Sequence, residues 1–426
     1  MRAIGVDVHR DFCEVAIAEG GGVRSAGRVL TTPAALELFA RSLAPSDVVA
    51  MEATANALAI ARIVEPHVAR VVLANPKAVK GATGLRAKTD KIDARLPVRL
   101  LAVGFLAEVW TPDEPTRVRR RLISRRCHLV RQRVREKNQV HAALQRQLHE
   151  RAPMTDVFGV KGRAWLKRQR TRLPLDEQHT VDACLRQIDF LEREIELIDV
   201  EIAKHVLARD DIRRLMTLPR VSGVTATALL AAIGDVRRFP TADHLVGYLG
   251  LSPRVHQSGN EPAKHGRISK QGPGPVRGLL VEAAWHAART TGPLRAFHQR
   301  LAAKRGTNIA TVAVARKLVV IAWNMLRRGE DYAFARPSLQ REKLRRFELM
   351  LGAQRQQGKR LSTAGRTFAT IDQRRLERQL AAQSETAYQR LVSDWQATGP
   401  PKAGAGATPG RASQRSSTDK AARQAP

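Results

Sequence analysis

Cysteine is scarce in this chain of 426 residues: Cys13, Cys127 and Cys184 are the three thiols, far apart. An odd, scattered set excludes a disulfide framework and a cysteine-rich zinc module, and it fits a reducing cytoplasm. Aromatic residues are few as well, at 4%, so base-stacking platforms of the single-strand-binding kind are poorly supplied. Acid is short relative to base: 40 Asp and Glu stand against 73 Lys and Arg, a formal net charge of +33. That is the balance of a polyanion binder in which phosphate contacts carry most of the affinity. Long apolar runs are missing too. Val224 to Ile233 and Leu318 to Trp323 fall far short of the ~18 to 20 residues that cross a bilayer, so no membrane span is expected. Asp7 stands where a secretory leader would have its apolar core, which again points to the cytoplasm.

What is present divides into four patterns, over residues 1–112, 113–206, 207–335 and 336–426. With 43% apolar residues the chain can fill real cores, and its length allows two to four domains. In the first stretch Ile4, Val6 and Val8 alternate with Ala3, Gly5 and Asp7, a period of two that predicts a strand whose small-residue face carries one carboxylate. A second strand follows over 12–18, and Gly20, Gly21 and Gly22 turn into a third ending near Leu30. Thr32-Pro33 then opens a helix. The run Val48 to Met51, ending at Glu52, predicts a strand, 56–64 a helix, and 68–74 a further strand closed by Asn75-Pro76. Strands alternating with helices imply an α/β sheet whose second half is mostly parallel.

The second stretch reads as long helix. Residues 117–137 hold ten Lys and Arg against Glu136 alone, over a thin apolar stripe of Val118, Leu122, Leu129 and Val140, so one face must be strongly cationic. Further on, Val181, Cys184, Ile188, Leu191, Ile195, Ile198, Ile202 and His205 step by threes and fours, a heptad seam. An antiparallel hairpin or a coiled-coil dimer satisfies that pattern equally. Met154 to Pro174, with its glycines and prolines, is expected to break the helix between the two halves. The third stretch, punctuated by glycine and proline, is expected to be compact and mostly α. The fourth begins as charged helix and from Pro401 becomes a Gly/Ala/Pro/Ser tail, read as disordered and non-specifically cationic.

Three groups of residues can carry chemistry. Asp7 lies mid-strand between valines, a costly place for an acid unless it is paired or metal-bound. Glu52 ends another strand, and Asp90 and Asp93 fall three residues apart at a helix start, hence on one face. Four carboxylates on one side of a sheet repel one another, and divalent cations compensate. Hard oxygen ligands select Mg²⁺ or Mn²⁺, and two such ions ~3.5 to 4 Å apart can serve phosphoryl transfer. Plainer readings exist: Asp90 favours a helix dipole and Glu52 is a strand-end acid. Ser258 sits in a glycine-bounded loop among Arg254, Lys264 and Arg267, cations that would stabilise phosphoryl oxygens during serine attack. A turn serine explains the same letters. Lys270 and, on the long helix, Arg120, Arg121 and Arg125 are further candidates for nucleic-acid contact. Leu215 to Ala226 resembles a helix-hairpin-helix able to take a DNA phosphate on its N–H groups, with Arg220 where a small glycine is expected.

In order along the chain, GVDVH with Asp7, MEAT with Glu52, KTDKIDA with Asp90 and Asp93, LPRVSGVTATALLAAIGD, FPTADHLVGYLGLSPRVHQSG and GRISKQGPGPVRGLLVEAAW resemble the DEDD transposases of the insertion sequence 110 type. Relatives of that family include site-specific DNA invertases. The resemblance runs from about Ile4 to Tyr332 and leaves the chain after Ser338 outside it. It implies a ribonuclease-H-like (RuvC-type) first domain, a basic helical, coiled-coil linker for protomer contacts, and a mostly α transposase domain. It implies Mg²⁺ on Asp7, Glu52, Asp90 and Asp93, and a transient phosphoserine bond between Ser258 and DNA. The implied partners are double-stranded DNA at the element ends and target, a structured non-coding bridge RNA, and further copies of the chain in a dimer or tetramer with a composite site. The implied setting is the bacterial cytoplasm, on the nucleoid. A Mg²⁺-dependent nuclease or Holliday-junction-type resolvase using only the acidic centre is the competing reading, and a non-catalytic nucleic-acid binder a third. An actin-like ATPase, suggested by the Gly-Val-Asp strand alone, lacks a second phosphate loop and suits so basic a chain poorly.

Overall fold

A computed structural model describes residues 2–76, 98–101, 104–258, 262–353 and 368–398. The chain divides into two compact units, Met1–Asp113 and Glu114–Pro426.

The first unit is a mixed five-stranded sheet with helices. Strands β1 (Ala3–Val8), β2 (Phe12–Glu19) and β3 (Gly22–Leu30) form an antiparallel meander, followed by α1 (Pro33–Arg41), β4 (Val48–Glu52), α2 (Ala57–Val64) and β5 (Arg70–Ala74). The spatial order is β3-β2-β1-β4-β5, with β4 parallel to both β1 and β5. The period-two alternation sends Ile4, Val6 and Val8 into a core with Val15, Leu36, Met51 and Ile60. The small-residue face packs Ala3 and Ala16 under Val98. Thr32 caps α1 by accepting from Ala35 N at 3.4 Å, with Pro33 at the first helical position. Buried Asp47 fixes the turn before β4 by accepting from Arg2 at 2.9 and 2.6 Å and from Ala44 N at 2.8 Å. The hydrogen bond from Arg2 holds the Asp47 carboxyl below the usual carboxylate range against the opposing effect of burial.

The second unit is largely helical. Helices α3 (Glu114–Arg146) and α5 (Leu175–Ala208) form an antiparallel hairpin, since Arg126 bonds Asp199, Gln139 accepts from Cys184, and Arg146 bonds Glu177. The heptad seam is therefore closed within one chain: Val181, Cys184, Ile188, Leu191, Ile195 and Ile202 are buried. On α3 the buried stripe is Ile123, Leu129, Val140 and Leu144, with Val118 and Leu122 half-buried. Between the two arms the sequence reading needs correction. Residues 154–174 are not a simple break, because α4 (Val160–Arg170) forms there and buries Trp165 and Leu166 on the arms. Gly162 has the look of a breaker, yet its function is contact: a Cβ there would lie 2.3 Å from the Val157 carbonyl.

The rest of this unit contains α6 (Asp210–Leu215), α7 (Gly223–Ile233), α8 (Ala242–Tyr248), the ribbon β6 (Pro253–His256) and β7 (Lys264–Ile268), α9 (Gly274–Ala287), α10 (Pro293–Arg305), α11 (Thr307–Arg328), α12 (Pro337–Met350) and α13 (Phe368–Thr398). One core joins Ile123, Ile202 and Val206 of the hairpin base to Leu229, Leu245, Leu280 and Leu318. The expected boundaries at 206/207 and 335/336 fall inside this unit. By length and composition alone α11 could cross a bilayer, although its longest unbroken apolar run is short. Its Ala310, Val314, Leu318 and Ala322 are buried in the core instead.

Candidate active site

Asp7 shares the small-residue face of β1 with Gly5 and Ala3, because the strand must alternate. Val6 pairs with Met51 in the parallel ladder, so one residue further along both strands Asp7 stands beside Glu52 on the same face. Both are half-buried. Asp7 Oδ2 lies 3.1 Å from His9 Nε2, and the His9 carbonyl accepts from Asn56 Nδ2 at 3.2 Å, which ties the end of β1 to the start of α2. The His9 ring stacks at 4.7 Å on Phe12.

Sequence reasoning missed Glu14. It pairs with Asp7 across the antiparallel ladder, is 3% exposed, and accepts from Arg28 Nε at 2.8 Å. Arg28 also lies 4.3 Å over the Phe12 ring. Three carboxylates therefore stand in a row over β2, β1 and β4, with an arginine neutralising the outermost. The alternation in Phe12 to Ala18 carried the signal, but only the pairing register turns it into neighbourhood. Asp90 and Asp93 lie outside the described residues. Among the described residues no three His, Cys, Asp or Glu side chains form a metal cage. The two adjacent hard-oxygen donors Asp7 and Glu52 fit an oxygen-coordinated divalent ion and supply half of the expected ligand set.

Ser258 stands two residues beyond the end of β6 and is exposed; Gly259 lies outside the described residues. The ribbon that carries it is pinched at its base by two glycines. Gly250 has φ +70° and Gly272 φ +85°, and a Cβ would lie 2.1 Å from Gln271 O at the first and 2.0 Å from Tyr248 O at the second. Leu249 and Leu251, on either side of Gly250, are buried in the core. Ser269 N donates to Ser252 O at 2.9 Å, Lys270 N to Gly250 O at 3.2 Å, and Arg277 to Leu249 O at 3.1 Å. The ribbon thus leaves a tightly bonded base and presents Ser258 to solvent.

Of the expected nucleic-acid contacts, Arg254, Lys264, Arg267 and Lys270 lie on or beside the ribbon and all four reach solvent, and Lys270 adopts a left-handed backbone at φ +56°. On α3 Arg125 is exposed and Arg121 bonds Glu114 at 2.8 Å. Arg120 requires a correction. Its guanidinium donates to Ala231 O at 2.8 Å and Ala232 O at 3.1 Å, satisfying carbonyls at the C-terminal end of α7 that have no helical partner. The helix-hairpin-helix expectation also changes. Arg220 adopts φ +61°, the conformation glycine is expected to supply, and Lys343 Nζ donates to Met216 O at 2.8 Å and Val221 O at 2.9 Å. No sequence signal linked Lys343 to this turn.

Comparison with known proteins adds to this geometry. Residues 4–148 match a family of IS110 DEDD transposases, and residues 212–299 match the Transposase IS116/IS110/IS902 family. A putative transposase, y4qE, of Sinorhizobium fredii is 30% identical over 66% of this chain and 70% of its own length. The transposase for insertion sequence element IS1328 of Yersinia enterocolitica is 28% identical over 68% of this chain and 86% of its own. The pilin gene-inverting protein of Moraxella bovis is 33% identical over 28% of this chain and 37% of its own.

Proposed function

Since the chain belongs to the IS110 transposase family, and is thereby a DNA strand-transfer enzyme whose family implies a divalent metal, we propose that it cuts and rejoins DNA through a phosphoserine bond at Ser258 and a Mg²⁺-dependent carboxylate centre. What supports the reading most is the adjacency of Asp7 and Glu52 on neighbouring parallel strands. In this reading Asp7, Glu52, Asp90 and Asp93 hold the ion, which when bound stabilises negative charge on the phosphoryl oxygens. Ser258 Oγ displaces one DNA oxygen at phosphorus: one P–O bond forms, one breaks, the serine proton goes to a base and the departing oxygen takes one up. The phosphodiester count is conserved. Attack by a hydroxyl of the second strand reverses the step and rejoins the DNA without an added energy source.

The charge of +33 with 4% aromatic residues suits gripping phosphate backbones better than reading bases by stacking. As the family resemblance implies, target choice is assigned to pairing with a structured bridge RNA, and exchange between two duplexes to more than one protomer. The test is a denaturing gel of the protein incubated with element-end DNA, its RNA and Mg²⁺. Wild type is expected to give a covalent adduct, and Ser258→Ala and Asp7→Ala none. If Ser258→Ala cuts DNA as well as wild type and no adduct forms, the serine step is wrong and water activation at the acidic centre replaces it.

A further inference from the structure

A cavity of about 270 Å³ opens in the second unit between the turn before α7, the loop entering α10, and helices α12 and α13. Both of those last helices begin after residue 299, outside either matched family region. Arg220, Arg336, Lys343 and Arg346 line the cavity, and Glu342 is the one acid among its described lining residues. Glu342 is engaged by Arg346 at 3.4 Å and Arg374 at 3.3 Å. Nearby acids are also taken: Glu377 accepts from Ser338 N and Oγ, and Glu385 accepts from Gly292 N and Arg295. Among the described residues, positive charge is thus concentrated around this space, with Glu342 the one lining acid set against it.

Arg220 is the informative residue. A non-glycine residue at φ +61° is strained, and such strain persists where the side chain is needed. Its Nε donates to Thr290 Oγ1 at 3.0 Å on the cavity wall, one of the five donors of the guanidinium. Burial first, then the Arg220 charge, pushes the Lys343 ammonium down to about 8. Burial lowers Arg336, and the charges of Arg220 and Arg378 add to it against the opposing pull of Glu377.

We propose that this cavity receives a single phosphate group, held by Arg220 and Arg336, with Lys343 fixing the Arg220 turn through the carbonyls of Met216, Leu218 and Val221, and that its source is the backbone of a bound nucleic acid. Guanidinium forks and the Thr291 hydroxyl offer more donors than a carboxylate would use and match a tetrahedral oxyanion, while the Thr290 hydroxyl is spent on His286 O at 2.9 Å and orients Arg220 by accepting from it. The assignment of the source rests on DNA being the substrate. The site itself does not.

Arg220→Gly separates site from fold, because glycine suits φ +61° while removing the guanidinium. In EDTA, which silences metal chemistry, fluorescence polarisation of a short labelled duplex is followed against salt. Arg220→Gly and Arg336→Gln are each expected to bind about five-fold more weakly, with the log–log salt slope shallower by about 1. Arg345→Gln, on α12 and bonded to Glu348 at 2.8 Å, removes the same charge and should leave the slope unchanged. Melting of the Arg220→Gly protein at or above the wild-type temperature shows that the fold is kept. Unchanged affinity and slope in both cavity variants would overturn the backbone source. If inorganic phosphate at matched ionic strength then still raises the melting temperature of wild type alone, the site stands and takes the free anion; if it raises neither, the site falls as well. Wild type that binds no duplex defeats the transposase-substrate reading, while the phosphate melt still judges the cavity.

Discussion

At the scale of single residues, glycine does two different jobs in this chain. Gly272, at φ +85°, faces Tyr248 O where a Cβ would sit at 2.0 Å, whereas a Cβ added to Gly278 inside α9 would meet nothing within 4 Å. Gly272→Ala is expected to cost about 2 to 4 kcal/mol, to open the ribbon base, and to raise protease cutting within 253–268 while the helical circular dichroism is retained. Gly278→Ala should instead raise stability by about 0.5 to 1 kcal/mol, read as a higher melting temperature. Residues of the candidate site are legible to the extent that their signal is local. Asp7 and Glu52 stand out because each interrupts or ends an apolar strand. Glu14 does not, since only the β1–β2 register brings it opposite Asp7, and Lys343 does not, since its partners are backbone carbonyls more than 120 residues away.

At the scale of elements, burial on one face decides what a sequence reveals. The strands of the first unit and the seam of α5 are readable because a face repeats every two residues or every three to four. The seam leaves two solutions open, and ion pairs resolve them in favour of a closed hairpin: Arg126 with Asp199 and Arg146 with Glu177 cross between arms running in opposite directions. Helix α4 is hidden because Gly162 reads as a breaker until Val157 is seen against it. The cationic face of α3 is narrower than its composition suggests for a related reason, since composition does not say which arginines are spent on Asp199 or on the carbonyls of α7. Ile188, fully buried at the middle of the seam, provides the test of the hairpin. Ile188→Ala is expected to destabilise the second unit by about 2 to 4 kcal/mol, measured by thermal unfolding, and a cost under about 0.5 kcal/mol would mean that the arms do not close on one another.

At the scale of the whole molecule, 73 basic residues against 40 acidic ones set how the chain meets a polyanion. Non-specific duplex binding should weaken by about 0.9 log units per log unit of salt for each phosphate contacted, and a flat profile would remove the electrostatic basis of the functional reading. The charge is legible from composition, but its distribution is not, because only folding shows that Arg2, Arg28 and Arg126 are tied to Asp47, Glu14 and Asp199. The antiparallel hairpin has a consequence of another kind. Its arms of 33 and 34 residues rise ~1.5 Å per residue, so the tip stands roughly 50 Å from the base where both arms join the core. Adding seven residues to each arm keeps the seam in phase and moves the tip outward by about 10 Å. The hairpin is thus an adjustable ruler, and the length at which recombination stops would measure the span that the bound nucleic acids require.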